Sequence, residues 1–498
     1  MKKIIALVLV LCMSFSMILT VSAATANTFN HKFNLVRLIR GMFDRTRVED
    51  EVVGDNGDNV FDLYIDGISI DEYDIVYPAE ADLLHYSTAL AFADYLANLG
   101  ITVDVKSDAD AATEYEILIG DTNRKISIDD TVVLGENEYI ICQDGKKVVM
   151  LGSSFMIAGG VYAFVNEYMV PADGELDVNI TNLPEEAEIS TYVWETPTSV
   201  IYMIGDGMGM KHIEATKELR AEQMPVFFAE TFPYFSRVKT FSYSVDPLRE
   251  EEYTDSAAAG TALATGYKTI NSYLGLDHEL NEVKNLRELA YEKGVKTAVL
   301  TTDHITGATP SAFLVHHNDR NDGEIIQDAI DALMSEGLVE YCYGTSDDDY
   351  GDGLTNEARE ALSIISKDDS RFFIMIEEAY IDKESHARDM EDMPDKVVRF
   401  NECIAYCSVF AVIRGDVFVI VTADHETGGV SKSMEGWYMP RGTHTNTSVP
   451  LFCLGFEGLA DLATGKTIDN TNIAKFIAKT LYGVEDFGDV NFGKEVDE

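Results

Sequence analysis

One serine begins a stretch of small residues and stands beside an aspartate. Residues 254–266 read TDSAAAGTALATG, in which seven of thirteen residues are alanine or glycine and Ser256 follows Asp255. Alanine favours a helix, and a serine at the helix N-terminus lies where backbone N–H groups and the helix dipole attract an anion. The pattern predicts either a nucleophile at an anion site or a close-packed core helix, which is the more common use of small residues.

Acids and histidines occur at four further places, each next to an apolar run. The runs 200–205, 372–376 and 417–422 are followed by acids, and a histidine precedes a fourth run at 449–455. The side chains concerned are Asp206, Glu377, Asp382, His386, Asp424, His425 and His444. Ligands of open α/β sheets bind beyond the carboxyl ends of the strands, so we expect these side chains to converge on one crevice. Mixed aspartate and histidine ligands suit zinc, and all-oxygen ligands suit magnesium.

Each of these residues also has an ordinary structural interpretation. A single aspartate at a strand end commonly caps a helix or closes a turn, and a single histidine is commonly hydrogen-bonded or exposed. Three of the ten histidines, however, lie in the strand-end clusters. Asp382 and His386 are four residues apart, so a helical turn would place them on one face. The histidines at 31, 85, 212, 278, 304, 316 and 317 have no spacing that marks them as ligands.

Together these motifs resemble the alkaline phosphatase family, in the family's order, over about residues 196–485. The resemblance implies a phosphomonoesterase in which Ser256 becomes phosphoserine and Arg320 clamps the substrate phosphate. It implies that Asp255 orients that arginine and that Lys383 reaches the phosphate through water. The metal sites that it implies are a first zinc held by Asp382, His386 and His444, a second zinc held by Asp206, Asp424 and His425, and a magnesium held by Asp206, Thr309 and Glu377.

The chain departs from the family pattern at the third metal site. Many members carry an aspartate or a histidine two residues before Thr309, where it shapes the outer shell of the magnesium, but this chain has Gly307. Outer-shell partners tune metal affinity, so we expect this site to bind magnesium more weakly than the zinc core binds zinc. Aspartate or histidine at 307 is then expected to tighten magnesium binding, unless the backbone there needs a positive φ.

The N-terminus and the charge bear on the compartment and the partners. Residues 1–23 have two lysines, an apolar stretch and a final VSA, which is typical of a secretory signal peptide, although an uncleaved anchor stays open. We therefore expect a secreted, extracellular or cell-surface protein, periplasmic if the source has an outer membrane. The formal net charge is −48, and −50 without Lys2 and Lys3. Such acidity argues against nucleic acid and anionic membranes as partners.

Composition divides the chain into a predicted signal peptide (1–23), a flexible lead-in (24–60), an α/β accessory domain (61–185), a linker (186–195), a catalytic domain (196–486) and an acidic tail (487–498). The predicted fold class is α/β, with a doubly wound, mostly parallel sheet and helices on both faces, preceded by the smaller domain. The smaller domain loosely resembles the accessory domain of some bacterial glycoside hydrolases, at 99–102, 119–122 and 152–168. It is expected to be either a scaffold for the catalytic domain or a glycan-binding unit.

Three functions are compatible with these patterns. The first is a secreted, metal-dependent enzyme that hydrolyses small phosphate monoesters. The second is a sister chemistry on the same fold, such as a phosphodiesterase, a sulfatase or a phosphomutase, although the C/S-x-P-x-R context of sulfatases is absent around Ser256. The third is a surface glycan-binding protein with a degenerate phosphatase part. The presence of every predicted metal ligand argues against this third reading.

Overall fold

The computed structural model describes residues 61–80, 82–128, 132–169, 177–246, 251–345 and 353–489. The predicted signal peptide, the predicted lead-in and the last nine residues of the predicted tail lie outside the described residues. Within the described ranges, no helix combines the length and the apolar character that crossing a bilayer requires.

The first part of the described chain forms a six-stranded sheet. In chain order, the strands and helices of this part are β1 (Leu63–Ile65), β2 (Ile68–Ser69), β3 (Asp74–Tyr77), α1 (Leu83–Ala97), β4 (Asp104–Ser107), β5 (Glu116–Ile119), β6 (Glu138–Asp144), β7 (Lys147–Gly152), α2 (Ile157–Ala163), β8 (Val178–Ile180) and β9 (Ser190–Thr191). The strand order is β4-β3-β5-β7-β6-β9, and the first four strands run parallel. Strands β1, β2 and β8 form a separate small sheet.

Within this part the sequence predicts strands at 73–77, 116–120, 139–142 and 147–151, so β1, β2, β4, β8 and β9 are not predicted. Strand β4 is not predicted, because it lies at the sheet edge and none of its four residues is buried. Strand β9 lies inside the predicted linker and pairs antiparallel with β6. The stretch expected to join two domains therefore also completes the first sheet.

The second part of the chain contains the larger sheet. Its strands are β10 (Ser199–Gly205), β11 (Tyr234–Lys239), β12 (Ser242–Tyr243), β13 (Glu251–Glu252), β14 (Lys296–Thr301), β15 (Tyr341–Gly344), β16 (Phe372–Glu378), β17 (Val417–Thr422), β18 (Glu426–Thr427), β19 (Ser431–Ser433), β20 (Gly436–Tyr438), β21 (His444–Thr445), β22 (Val449–Leu454) and β23 (Thr464–Asp469). Its helices are α3 (Met210–Leu219), α4 (Ser256–Thr265), α5 (Leu286–Glu292), α6 (Ala308–Leu314), α7 (Gly323–Ser335), α8 (Gly353–Ile365), α9 (Tyr380–Ala387), α10 (Met393–Arg414) and α11 (Thr471–Tyr482).

Eight of these strands form one sheet in the order β15-β14-β16-β10-β17-β22-β11-β23. The first five run parallel, and β22 runs antiparallel to its neighbours β17 and β11. Every residue of β10, β16 and β17 is buried, which requires that both faces of the sheet centre be covered. The predicted α/β class with a mostly parallel sheet is confirmed. Parallel strands also bring their carboxyl ends to one edge, where the predicted site residues lie.

The two sheets are joined through helix packing and a polar clamp. Helix α1 packs on α10. The Asp94 carboxylate of α1 accepts two hydrogen bonds from Arg359, at 2.8 and 2.9 Å, and one from the Tyr406 hydroxyl at 2.8 Å. Because Tyr406 is buried, its hydroxyl depends on this carboxylate.

We predict that Asp94→Asn lowers the free energy of unfolding by about 1–3 kcal/mol, because it weakens the bonds to Arg359 and to a buried hydroxyl. The measurement is urea unfolding followed by tryptophan fluorescence. The control is Asp104→Asn, at a side chain that is 75% exposed. Equal stability of the two variants would contradict a clamp at Asp94.

Candidate active site

Two compact groups of aspartate and histidine lie at the carboxyl edge of the large sheet. The first group is Asp382, His386 and His444, and the second is Asp206, Asp424 and His425. In each group the three residues offer one ligand atom each, and these three atoms lie within 4.8 Å of one another. In the first group His386 Nε2 is 3.2 Å from Asp382 Oδ2. In the second, His425 Nε2 is 3.2 Å from Asp424 Oδ2 and 3.6 Å from Asp206 Oδ1.

The ends of neighbouring strands bring these side chains together. Asp206 follows β10, and Asp424 and His425 follow β17, the strand paired with β10. Asp382 and His386 lie one turn apart on α9, as their spacing predicts. Helix α9 follows β16, on the other side of β10.

His444 and Gly207 complete the approach of these loops. His444 lies in β21, which pairs with β18 just after the second group. Gly207 has φ 73°, and a Cβ there would lie 2.9 Å from the Cα of Asp382. The backbone after Asp206 can approach α9 this closely only because the residue is glycine.

All three imidazoles present Nε2 to the site. The Nδ1 atom of His386 contacts the Gly442 carbonyl at 2.9 Å, and that of His444 contacts the Thr254 carbonyl at 2.7 Å. A carbonyl only accepts hydrogen bonds, so each Nδ1 carries a proton, and the neutral form of each imidazole has its lone pair on Nε2. The hydrogen bond to Asp382 raises the pKa of His386 to about 9, so without a cation its Nε2 also carries a proton at neutral pH. His386 Nε2 and His444 Nε2 are 3.0 Å apart. Two lone pairs at this distance repel unless a proton or a cation lies between them.

Thr427 connects the two groups, and sequence reasoning does not identify it. Its hydroxyl donates to Asp382 Oδ1 at 2.5 Å and lies 3.2 Å from His425 Nδ1, where it can accept the imidazole proton. The side chain is buried. Its position two residues after His425 is the only sequence signal, and a threonine there carries no chemistry by itself.

Three of the buried carboxylates are electrostatically unfavourable as they stand, whereas the hydrogen bond from His386 and the nearby histidines lower the pKa of the fourth, Asp382. Burial raises the pKa of Asp206 well above its ordinary value, and the charges of Asp424 and Asp382 add to this. Burial likewise raises the pKa of Asp424 to about 6 and that of Glu377 to about 8. Asp206 Oδ1 and Asp424 Oδ2 have no hydrogen-bond donor. These carboxylate oxygens accept no hydrogen bond, and they lie beside imidazole nitrogens. Together they form a ligand set that fits a divalent cation.

Ser256 lies at the edge of the second group. It is the first residue of α4, is buried, and has its Oγ 3.2 Å from His425 Nε2. Asp255 caps this helix by accepting from the Ala258 N–H at 2.9 Å. Its other oxygen accepts from Arg320 Nη1 at 3.3 Å. One aspartate therefore fixes the start of the serine helix and orients the predicted phosphate-binding arginine.

The small residues of α4 let it pack closely on α6. A Cβ at Gly260 would lie 3.1 Å from the Cβ of Ala312 and 3.3 Å from the Cα of Thr309. The close-packed interpretation of this segment is confirmed, and the anion-site interpretation stays a prediction. The close packing places the Thr309 helix against the Ser256 helix.

The third predicted metal site gathers around Glu377. Glu377 accepts a hydrogen bond from the Thr301 hydroxyl at the end of β14. The Thr309 hydroxyl lies near enough to favour the charged form of Glu377, and Asp206 feels the charge of Glu377. Lys383, expected to reach a phosphate through water, donates to Asp303 Oδ1 at 2.5 Å. Asp303 and Thr301 are further residues that the sequence patterns do not single out.

Comparison with known proteins points to one family. The family model described as alkaline phosphatase matches residues 198–346 and 344–454, about half of the chain. Alkaline phosphatase 3 of Bacillus subtilis (strain 168) is 29% identical over 297 residues, covering 48% of this chain and 63% of that protein. Streptomycin-6-phosphate phosphatase of Streptomyces griseus is 37% identical over 125 residues, covering 25% of this chain and 27% of that protein.

The solved structures agree with the family model. The alkaline phosphatase of the Antarctic bacterium TAB5 is 25% identical, has a TM-score of 0.51, and covers 58% of this chain and 99% of its own. A mutant of that enzyme has been solved with magnesium bound in its M3 site. The chain spans less than two thirds of the length of the Bacillus subtilis relatives, 63% in both cases. With a family model matching half of its residues, and with this site at the edge of its sheet, the chain belongs to the alkaline phosphatase family.

Proposed function

We propose that the chain is a secreted, metal-dependent phosphomonoesterase that acts through a phosphoserine at Ser256. The observation that carries the proposal is the position of this hydroxyl, buried at a helix N-terminus and 3.2 Å from His425 Nε2. Arg320 is held by Asp255, the residue that precedes Ser256. A serine nucleophile, side chains that can bind cations and a guanidinium together favour the binding of a phosphate dianion. Secretion rests on the signal-like pattern of residues 1–23.

The residues present fit two zinc ions and one magnesium ion. Asp382, His386 and His444 would hold the first zinc. Asp206, Asp424 and His425 would hold the second. Asp206, Thr309 and Glu377 would offer the oxygen ligands that magnesium prefers. When bound, such ions stabilise charge on the attacking and leaving oxygens and lower the pKa of water.

The chain's own residues define two in-line displacements. In the first, Ser256 Oγ loses its proton to solvent and bonds to phosphorus, while the bond from phosphorus to the ester oxygen breaks; the released alkoxide takes a proton from solvent and leaves as the alcohol. In the second, a water oxygen bonds to phosphorus and gives up a proton to solvent, while the bond to Ser256 Oγ breaks; Ser256 Oγ regains a proton from solvent and phosphate is released. Arg320 holds two of the remaining phosphoryl oxygens through its planar fork, which lysine cannot reproduce. Two inversions leave the configuration at phosphorus unchanged.

The smaller α/β part is proposed to be a scaffold rather than a glycan-binding unit. The observation that supports this is the clamp at Asp94, which ties α1 to Arg359 and to α10. The large sheet packs against α10 through β17. A support of this kind contributes to stability and not to the reaction.

Rates on an aryl phosphate, a bis-aryl phosphate and an aryl sulfate test the proposed function directly. We expect the monoester to be hydrolysed faster than the other two by at least about a thousandfold in kcat/KM, or about 4 kcal/mol in transition-state free energy. The reason is that the positive charge of the proposed cations and of Arg320 stabilises the dianion of a phosphate that has a single ester group. Preferential hydrolysis of the diester or the sulfate would replace this function with a sister chemistry.

Ser256→Ala is predicted to lower kcat by at least about a thousandfold while zinc content stays unchanged, because the serine is the nucleophile and not a required metal ligand. Acid quenching with radiolabelled substrate should label the wild-type serine and leave the variant unlabelled. Ser335→Ala, at an exposed position of α7, is the matched control. Label on a different residue would refute the assignment.

Thr427→Val is predicted to weaken zinc binding about 10–100-fold, because it removes the hydroxyl that holds both Asp382 and His425. Competition with a chromogenic chelator measures the zinc affinity without using turnover. Thr427→Ser keeps the hydroxyl and should stay near the wild type. A valine variant with unchanged affinity would show that Thr427 only fills space.

A further inference from the structure

We propose that Asp303 is the outer-shell carboxylate of the third metal site and that Lys383 holds it in place. This inference rests on the proposed function, since it concerns the magnesium site of that enzyme. The resemblance implies that many family members carry an aspartate or a histidine at position 307, where this chain has glycine. The structure places a different carboxylate beside that glycine.

The atoms around Gly307 leave little room for a side chain at this position. Gly307 has φ −56° and ψ 159°, a conformation open to any residue, so a positive φ does not require glycine. A Cβ at this position would lie 2.9 Å from the His304 carbonyl oxygen and 3.3 Å from Asp303 Oδ2. The space that a side chain at 307 needs is thus already bordered by the Asp303 carboxylate.

Asp303 is linked to the residues of the third site through β14. Its backbone N–H donates to the Thr301 hydroxyl at 3.0 Å, and that hydroxyl donates to Glu377. The same loop leads from β14 into α6, which carries Thr309. The negative charge of Asp303 also acts on Glu377, whose pKa is raised mainly by burial and further by this neighbour. Asp303 is therefore within electrostatic reach of a ligand of the third site.

Lys383 fixes the orientation of this carboxylate. Its Nζ lies 2.5 Å from Asp303 Oδ1 and 4.3 Å from the centre of the Tyr380 ring. Lys383 belongs to α9, which also carries Asp382 and His386. The ion pair thus ties the β14–α6 loop to the helix of the first metal group. Asp303 Oδ2 faces the space beside Gly307 and is available to the waters that magnesium retains when it binds.

Lys383 consequently has a different main role from the one that the family resemblance implies. Its charge is paired with Asp303, so it acts as a positioning residue for the carboxylate. Asp303 is likewise a positioning residue, because it acts on the metal through water and not by direct coordination. An isosteric amide at 303 keeps the volume and removes the charge, which makes the role measurable.

The test is the magnesium affinity of the zinc-loaded, full-length protein, measured by isothermal titration calorimetry with magnesium chloride. Asp303→Asn is expected to weaken magnesium binding about 10–100-fold, the usual effect of losing an outer-shell partner. Zinc content, measured by elemental analysis, should stay at the wild-type level. Asp328→Asn, an exposed position on α7 that changes the net charge equally, should bind magnesium as the wild type does.

A second variant distinguishes an outer-shell role of Asp303 from a purely structural role of its ion pair with Lys383. Gly307→Asp, which the sequence alone predicts to tighten magnesium binding, should not do so while Asp303 is present, because the new Cβ would lie 2.9 Å from the His304 carbonyl oxygen and 3.3 Å from the Asp303 carboxylate. In the Asp303→Ala background the same substitution should recover affinity relative to Asp303→Ala alone. Unchanged magnesium affinity in Asp303→Asn, or tighter binding by Gly307→Asp alone, would overturn the proposal. Both results are independent of turnover, so an enzyme that failed to hydrolyse monoesters would refute the proposed function separately.

Discussion

The mutual repulsion of buried acids at one sheet edge is the constraint on which this structure depends. Asp206, Asp424 and Glu377 follow or end neighbouring strands in an interior where burial raises the pKa of each. Imidazole Nε2 atoms face the same space, since the Nδ1 atoms of His386 and His444 are bound to carbonyl groups. Such an arrangement is unfavourable without positive charge, which is why the proposed function places cations there.

The rest of the fold holds these groups in place against their repulsion. The parallel strands bring their ends together, and glycines at 207 and 260 allow backbone segments to approach more closely than side chains permit. Polar partners around the site then fix single orientations. Thr427 bridges the two aspartate–histidine groups, and Asp255 joins the serine helix to Arg320. The Asp303–Lys383 pair extends the same principle to the third site.

Much of the fold and the candidate site could be predicted, because the signals were local. Apolar runs that end in acids predicted parallel strands, and the spacing of Asp382 and His386 predicted a shared helix face. Edge strand β4 was missed because its residues are not buried, so no apolar pattern marks it. Thr427 and Asp303 were missed for a different reason. Their roles come from contacts across the fold, to Asp382 and to Lys383, which no local pattern encodes.

X-ray diffraction recorded on both sides of the zinc absorption edge, from crystals of the zinc-loaded protein, tests most directly whether metal ions hold the buried acids together. We predict two anomalous peaks about 4 Å apart. One should lie among Asp382, His386 and His444, and the other among Asp206, Asp424 and His425. Zinc-loaded crystals with no peak in either group would show that shared protons, and not metal ions, hold the buried acids together.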